Sequence, residues 1–495
     1  IFYFLMEKNM QLRLQELIFS SSNPEVSREI SKMENKGIIR KIAPRIYTSN
    51  LEESAAKIIQ RNIFQILGNL YPGAVLSHRS ALEFKPTEDS QIFLTYSYSK
   101  KIELPGITLN FFKGEQPVEG DSKFVGELYV ASQERAFLEN LQSARKTGRL
   151  PKNLPVEELE NKLEKIFLIK GENGLNDFRD NAREISVKTG MQSEFAKLNK
   201  IIGALLKTRP SNLLSSPIAK ARALGEPYDE GRLKLFEKLF IHLKQDIFEN
   251  IEDKNLSPES FRNFAFFEAY FSNYIEGTVF EIEEAKQIVD SQIPIKNRGE
   301  DSHDILGTYK LVSSKKEMSL IPANVDELFD ILSYRHKVLL DARQSKKPGE
   351  FKDKNNRAGE THFVDFTMVR GTLKKGFEFY QALTDAFSRA AFIMFLISEV
   401  HPFLDGNGRI ARVMMNAEFV HAGQSRIMIP TVYREDYLGA LRKLTRSSDP
   451  SVYIKMLQRA QKFSSQLDAS DILNLETQLE KTNAFKESDE TVLKF

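Results

Sequence analysis

Apolar residues recur at helical spacing near the start of the chain. In Pro24–Met33, Val26, Ile30 and Met33 line one stripe, and Ser27, Arg28, Ser31 and Lys32 fall outside it. The spacing predicts a helix with a basic, hydroxyl-bearing face for solvent or phosphate, one of several short helices between Met6 and about residue 50. Gly37–Thr48 then reads as two short β-branched strands around a turn at Pro44. Further on, Ile92–Tyr96 and Ile107–Phe112 are short strands that precede a helix reaching about Arg145. A cluster of Pro, Ser and Gly between about 201 and 230 marks a connector. From Gly231 onward the pattern is helical: Leu233, Leu235, Phe236, Leu239, Phe240 and Leu243 form a broad stripe, and Ala390–Ile397 reads as a buried helix.

Composition narrows the chemistry. Among 495 residues, 70 Lys and Arg oppose 68 Asp and Glu, for a net charge of +2, and there is no cysteine. Disulfide frameworks and Cys-ligated zinc or iron–sulfur sites are thereby excluded, so any metal must use oxygen or imidazole ligands. The length predicts about three domains. Ile1–Leu5 is too short for a signal peptide, and Met6 is expected as the natural start. The run Ala390–Ile397 falls far short of the roughly 18 to 20 apolar residues that span a bilayer. A soluble, cytoplasmic protein with no membrane partner is the expectation.

Helix, helix, basic hairpin is the outline of a winged helix. Residues Ser27–Asn50, followed by Pro72–Leu82, resemble the amino-terminal region of AbiEi-type antitoxins and related winged-helix regulators. That resemblance implies DNA as a partner. Arg28, Lys32, Arg40, Lys41 and Arg45 are then either a solvated face or phosphate contacts that position the domain without reading bases.

The densest chemistry lies in His401-Pro402-Phe403-Leu404-Asp405-Gly406-Asn407-Gly408-Arg409-Ile410-Ala411-Arg412. Pro402 lacks an amide hydrogen and stops the preceding helix. Gly406 and Gly408 flank Asn407 and permit positive φ, which allows backbone amides to converge as an anion nest. A second helix follows, with Ile410, Val413, Met414, Ala417 and Val420 on one face and Gly423 at its carboxyl end. Arg409 and Arg412 share a side of its first turn, where two cations oppose the macrodipole unless a polyanion binds. Loop amides, helix terminus and guanidiniums together describe a phosphate cradle, to which Asp405 adds one oxygen ligand suited to Mg2+. His401 is the natural general base.

This segment matches every defining position of H-P-F-x-[DE]-G-N-G-R-x-x-R and so resembles the Fic (Fido) domain protein adenylyltransferases. The resemblance implies a helical core that binds ATP and Mg2+ and moves AMP onto a Ser, Thr or Tyr hydroxyl of a protein, self-modification included. In that scheme His401 is the base and Asp405 holds Mg2+. Asn407, the amides at Gly406 and Gly408, and Arg409 hold the α- and β-phosphates, and Arg412 reaches the γ-phosphate. Ser272, Glu276 and Gly277 fit the family's inhibitory pattern [ST]-x-x-x-E-[GN], which implies that Glu276 pairs with Arg412 and blocks productive ATP binding. His362–Val369, an alternating segment, stands where the family places a β-hairpin flap, so Val364 and Asp365 are expected beside the nucleotide. Tyr437 aligns with a nucleotide-contacting tyrosine in some relatives, or is a helix-surface aromatic.

The predicted fold class is multidomain: an N-terminal winged-helix α+β region followed by an all-α Fic core with a small β-hairpin flap. The expected divisions are a winged-helix-like domain at 6–70, an AbiEi-like α+β region at 71–200 and a linker at 201–230. A Fic domain at 231–465 follows, with its inhibitory helix near 265–280, and then a charged, frayed tail at 466–495. Two other readings remain open. The chain could be a DNA-binding regulator or antitoxin-like protein whose Fic core senses nucleotide, or a Fic enzyme that removes AMP. A homodimer is compatible with each.

Overall fold

The computed structural model describes residues 15–115, 117–143 and 150–495. Ile1–Leu5 and Met6 lie outside the described residues. The chain divides between Leu224 and Gly225 into two compact units.

The first unit opens with a three-stranded antiparallel sheet of β1 (Leu17–Phe19), β2 (Arg40–Ala43) and β3 (Ile46–Thr48), with β3 in the centre. The helix Pro24–Asn35 starts where the Asn23 side chain accepts the Glu25 amide hydrogen at 2.9 Å. It buries Ile30 and Met33 against Ile18 and Ile39. The expected order of helix, helix, hairpin therefore changes. Leu17–Phe19 pairs with β3 as a strand, and among the described residues one helix precedes the hairpin. Three consecutive large apolar residues favour a buried strand over an amphipathic helix. Arg28, Lys32, Lys41 and Arg45 are exposed, and Arg45 occupies the turn with φ 68°. Arg40 instead donates to the carbonyls of Asn50, at 3.1 Å, and Glu53, which makes it a brace of the loop after β3.

A six-stranded mixed sheet follows: β4 (Val75–Leu76), β5 (Gln91–Tyr96), β6 (Lys100–Leu104), β7 (Ile107–Lys113), β8 (Ser122–Val125) and β9 (Leu128–Val130), in spatial order β6-β7-β5-β4-β9-β8. Its alternating residues Ile92, Leu94, Leu109 and Phe111 are buried against Ile58, Ile66 and Leu67. A helical layer of Gln133–Asn140, Val156–Thr189 and Gln192–Leu205 completes the unit. The stretch 201–230, expected as a linker, is largely folded. It contains the helix Pro217–Ala223, buried Leu214 and Ala219, and an Arg222–Glu164 ion pair. Prolines and serines here cap a short helix, as Ser216 does for Ala219, and do not loosen the chain.

The second unit is helical. The helix Ala386–Val400 is buried almost all round and packs along the helix Asn407–His421, the two joined by the loop at His401. Around them lie the helices Glu230–Gln245, Pro258–Ile275, Gly299–Val312, Val325–Leu339, Val369–Gln381, Arg434–Ser447 and Ser451–Gln466. Among the described residues no helix is long and apolar enough to cross a membrane.

Two expectations are corrected in this unit. The segment after 466 is not frayed. It forms the helix Ile472–Lys481, buries Leu475, Leu479, Ala484 and Leu493, and sets the Phe485 ring 5.2 Å from that of Phe271. The hairpin is also shorter and earlier than the alternation of His362–Val369 predicts. β10 (Arg357–Ala358) pairs with β11 (Thr361–His362) across a turn at Gly359, and a helical turn begins at Phe366. Asp365 ends the extension by accepting the Thr367 amide at 2.9 Å, a local bond that competes with strand pairing.

Candidate active site

His401 terminates the helix Ala386–Val400 in the left-handed region, at φ 52° and ψ 61°. Its Nδ1 lies 3.2 Å from the Ser398 carbonyl, and its ring stacks on Phe363 at 3.6 Å and 4°. A carbonyl only accepts, so Nδ1 carries the proton and Nε2 keeps its lone pair. Burial pushes the imidazole down to about 4. The Lys352 charge acts in the same direction, against the Ser398 carbonyl. At neutral pH His401 is an uncharged ring with a proton acceptor to spare.

The loop that follows is fastened at several points. Asn407 spans it: Oδ1 accepts the Phe403 amide at 2.8 Å and Nδ2 donates to the Phe403 carbonyl at 2.9 Å. The side chain expected on phosphate is thus the clasp that shapes the loop. Gly406 takes φ 72°, and its amide donates to Asp405 Oδ1 at 2.7 Å. His336 supports the loop from below, stacking on Phe403 at 3.7 Å; Nε2 donates to the Asp405 carbonyl at 3.1 Å and Nδ1 accepts the Gly349 amide at 2.9 Å. Burial lowers His336 to about 4, which keeps it in the tautomer those bonds need. The loop opens onto the amino terminus of Asn407–His421, whose first amides have no acceptor within the helix.

Asp405 keeps its outer oxygen half-exposed, 3.4 Å from Lys346 Nζ. Burial alone would raise this carboxyl, but the Gly406 amide, Arg409 and Lys346 together hold it below the usual carboxylate range. No cluster of three or more metal-ligating side chains occurs among the described residues. A single half-exposed carboxylate fits a cation shared with phosphates better than one caged by protein.

Both arginines of the first turn face the helix Pro258–Ile275. Arg409 pairs with Asp304 at 2.8 Å and reaches Asn273 Oδ1 at 3.2 Å, so the guanidinium expected on phosphate is held by a buried carboxylate. Arg412 donates to Ser272 Oγ at 3.0 Å, to the Ser272 carbonyl at 2.8 Å and to Glu276 Oε1 at 2.8 Å. Glu276 caps the carboxyl end of its helix, and Gly277 turns away at φ 92°. The Glu276 carboxylate lies against the motif helix so closely that a Cβ on Gly408 would sit 2.2 Å from Oε1. Tyr437 is 1% exposed and accepts from Arg412 at 3.3 Å, which removes the surface-aromatic reading.

Val364 and Asp365 are not at the loop. Val364 joins the apolar core, and Asp365 is engaged by Thr367 and by Asn355 at 2.8 Å. Phe363 is the residue of this segment that reaches His401. Sequence reasoning also missed Asp304, His336, Lys346, Lys352 and Asn356. None of these left a distinct trace; Asp304 shares its helical face with Glu300, Asp301 and Thr308, which reads as a polar face.

Residues 327–418 match the model of the Fic/DOC family. This stretch of the chain is similar to the Fic/DOC family. The matched residues include His336, Lys346, Lys352, Phe363 and the whole of His401–Arg412, whereas Glu276 precedes them. Protein adenylyltransferase Fic of Drosophila mojavensis is 25% identical over 235 residues, 46% of this chain and 45% of that relative. The match thus spans less than half of that relative's length. The Drosophila grimshawi protein of the same name is 24% identical over 396 residues, 77% of this chain and 76% of its own. Among solved structures, Fic-1 (residues 134–508) from C. elegans aligns at TM-score 0.35 and 16% identity, over 63% of this chain and 92% of that one.

Proposed function

We propose that the Fic core is a protein adenylyltransferase that moves AMP from ATP to a Ser, Thr or Tyr hydroxyl, and that Glu276 restrains it. The observation that carries this reading is His401 beside the loop: an uncharged imidazole, its Nδ1 proton committed to Ser398, at the mouth of a turn that ends in a helix amino terminus. The target hydroxyl gives its proton to His401 Nε2 as its oxygen bonds to the α-phosphorus. The bond from that phosphorus to the bridging oxygen breaks, and pyrophosphate leaves. The helix terminus and loop amides receive the phosphates, and Arg412 meets the γ-phosphate once Glu276 lets go. Asp405 would hold Mg2+, which supplies charge neutralisation on the phosphates. The Fic/DOC match and the name shared by the Drosophila relatives support the same reaction class.

Restraint rests on the 2.8 Å pair between Glu276 and Arg412 and on the place the carboxylate takes above Gly408. The deciding experiment incubates wild type and Glu276→Gly with α-labelled ATP and Mg2+ and reads intact mass. An added AMP in the variant, absent from Glu276→Gly carrying His401→Ala, supports transfer and restraint together. Silence from a folded, ATP-binding Glu276→Gly protein overturns the reading.

The amino-terminal unit supports a second role. Arg28 and Lys32 stand one turn apart on the exposed face of Pro24–Asn35, with Arg45 exposed on the hairpin turn. We propose that this face contacts nucleic-acid phosphate. Loss of duplex binding in Arg28→Ala with Lys32→Ala, together with a steep salt dependence, tests it.

A further inference from the structure

The backbone of His401 adopts a left-handed conformation that few residues with a Cβ take up. Such a conformation persists where neighbouring groups leave no alternative. The groups that do so here lie about fifty residues earlier, on the strap Gly349–Asn356. The Lys352 amide donates to the Pro402 carbonyl at 2.8 Å, and Asn356 Nδ2 donates to the Phe403 carbonyl at 2.9 Å. These are the two carbonyls immediately after His401. The ammonium of Lys352, a residue only 3% exposed, donates to Asn356 Oδ1 at 2.8 Å and reaches toward the Val400 carbonyl at 3.5 Å, just before His401. The ammonium thereby fixes the amide of Asn356 with its oxygen toward Lys352 and its NH2 toward Phe403, since an ammonium has no lone pair to accept with.

We infer that Asn356, oriented by Lys352, is a positioning residue for His401: the strap grips the chain on both sides of the histidine and aims its imidazole. Both side chains act on backbone carbonyls, and so their effect falls on the step that uses the imidazole; Asn407 shares the Phe403 carbonyl with Asn356 but also accepts the Phe403 amide, a bond that neither variant removes and that holds the turn leading to Gly406–Arg409. The buried ammonium has a second effect. Lys352 is one of the charges that lower His401, with Glu276 and Asp405 acting in the opposite sense. It therefore helps to keep the base uncharged.

This inference rests on the adenylyl-transfer reading, and its test separates the two. Asn356→Asp keeps the size and the acceptor for Lys352 but removes the NH2, and Lys352→Met keeps the apolar stem but removes the ammonium. Both are made in the full chain carrying Glu276→Gly, with Lys354→Met, an exposed neighbour, as the control. The expected result is a kcat lower by about tenfold to a hundredfold, the scale of a small misplacement of a reacting group, with KM for ATP within about threefold and the control unchanged. Ring 15N and 13C signals of His401, assigned by their loss in His401→Gln, shift in both variants. A kcat within twofold and unmoved His401 signals overturn the inference. If Glu276→Gly itself transfers nothing, the adenylyl-transfer reading falls, and the His401 signals alone decide whether Asn356 and Lys352 aim the ring.

Discussion

Oε1 of Glu276 lies 2.8 Å from the Arg412 guanidinium and would lie 2.2 Å from a methyl group placed on Gly408. One carboxylate thus engages the cation and roofs the first turn of the motif helix. A charge-assisted hydrogen bond of this kind contributes about 1.5–3 kcal/mol, which corresponds to roughly tenfold to a hundredfold in an equilibrium. Glu276→Gly is expected to raise AMP incorporation by that order, measured as initial rate with labelled ATP.

His401→Ala is expected to lower transfer by about 10² to 10⁴, the usual contribution of a positioned general base. Nucleotide affinity should stay within about threefold of the parent, because the ring makes none of the amide contacts. Calorimetric titration with ATP beside the rate assay checks both. An equal loss in the two would assign His401 to binding instead.

The pH profile follows from the depressed imidazole. With His401 near 4, the base is uncharged from pH 8 down to about 5.5, so kcat is expected to be flat over that range and to fall only as the pH approaches 4. A limb centred near 6.5 would place the ring in open solvent.

Stability carries the same signature. His336 and His401 take up a proton near 6.5 in the unfolded chain and only near 4 in the folded one. The unfolded state therefore binds more protons between those values. The stability these rings contribute is complete above about pH 6.5 and is lost as pH falls toward 4, at up to about 1.4 kcal/mol per pH unit for each. The slope of unfolding free energy against pH should flatten between pH 6.5 and 5 in His336→Gln relative to wild type.

Leu479 is fully buried in the helix Ile472–Lys481, so Leu479→Ala is expected to cost about 2–5 kcal/mol. Denaturant unfolding of the full chain checks this. A cost below about 0.5 kcal/mol would return the segment after 466 to a loose tail.

What the residues themselves disclosed was contiguous, and the one distant pair anticipated, Glu276 with Arg412, came from the resemblance. His401 to Arg412 is twelve adjacent residues whose roles depend on a turn and a helix start, and both are local. The partners that fasten the loop are distant: Asp304, His336, Lys352 and Asn356 stand 47 to 105 positions away from the residues they hold, and no spacing rule links them. Alternation misled at Phe363–Phe366, because period 2 says nothing of an Asp that captures the Thr367 amide. Charge misled after 466: exposed acids and lysines outnumber Leu475 and Leu479, but those two buried leucines sit on a helix packed against Pro258–Ile275, and Phe485 follows against Phe267 and Phe271. At Leu17–Phe19 a strand was hidden because its pairing partner, β3, lies thirty residues on.

The bareness of Gly408 has a thermodynamic consequence. With only a hydrogen there, the Glu276 carboxylate fits over the first turn, and under the proposed function a nucleotide phosphate would be its alternative tenant. Measured nucleotide affinity then equals intrinsic affinity scaled by the fraction of molecules in which the glutamate stands aside; a site covered 99% of the time binds about a hundredfold more weakly. The ratio of ATP dissociation constants between wild type and Glu276→Gly is accordingly a direct gauge of how often the clasp opens unaided.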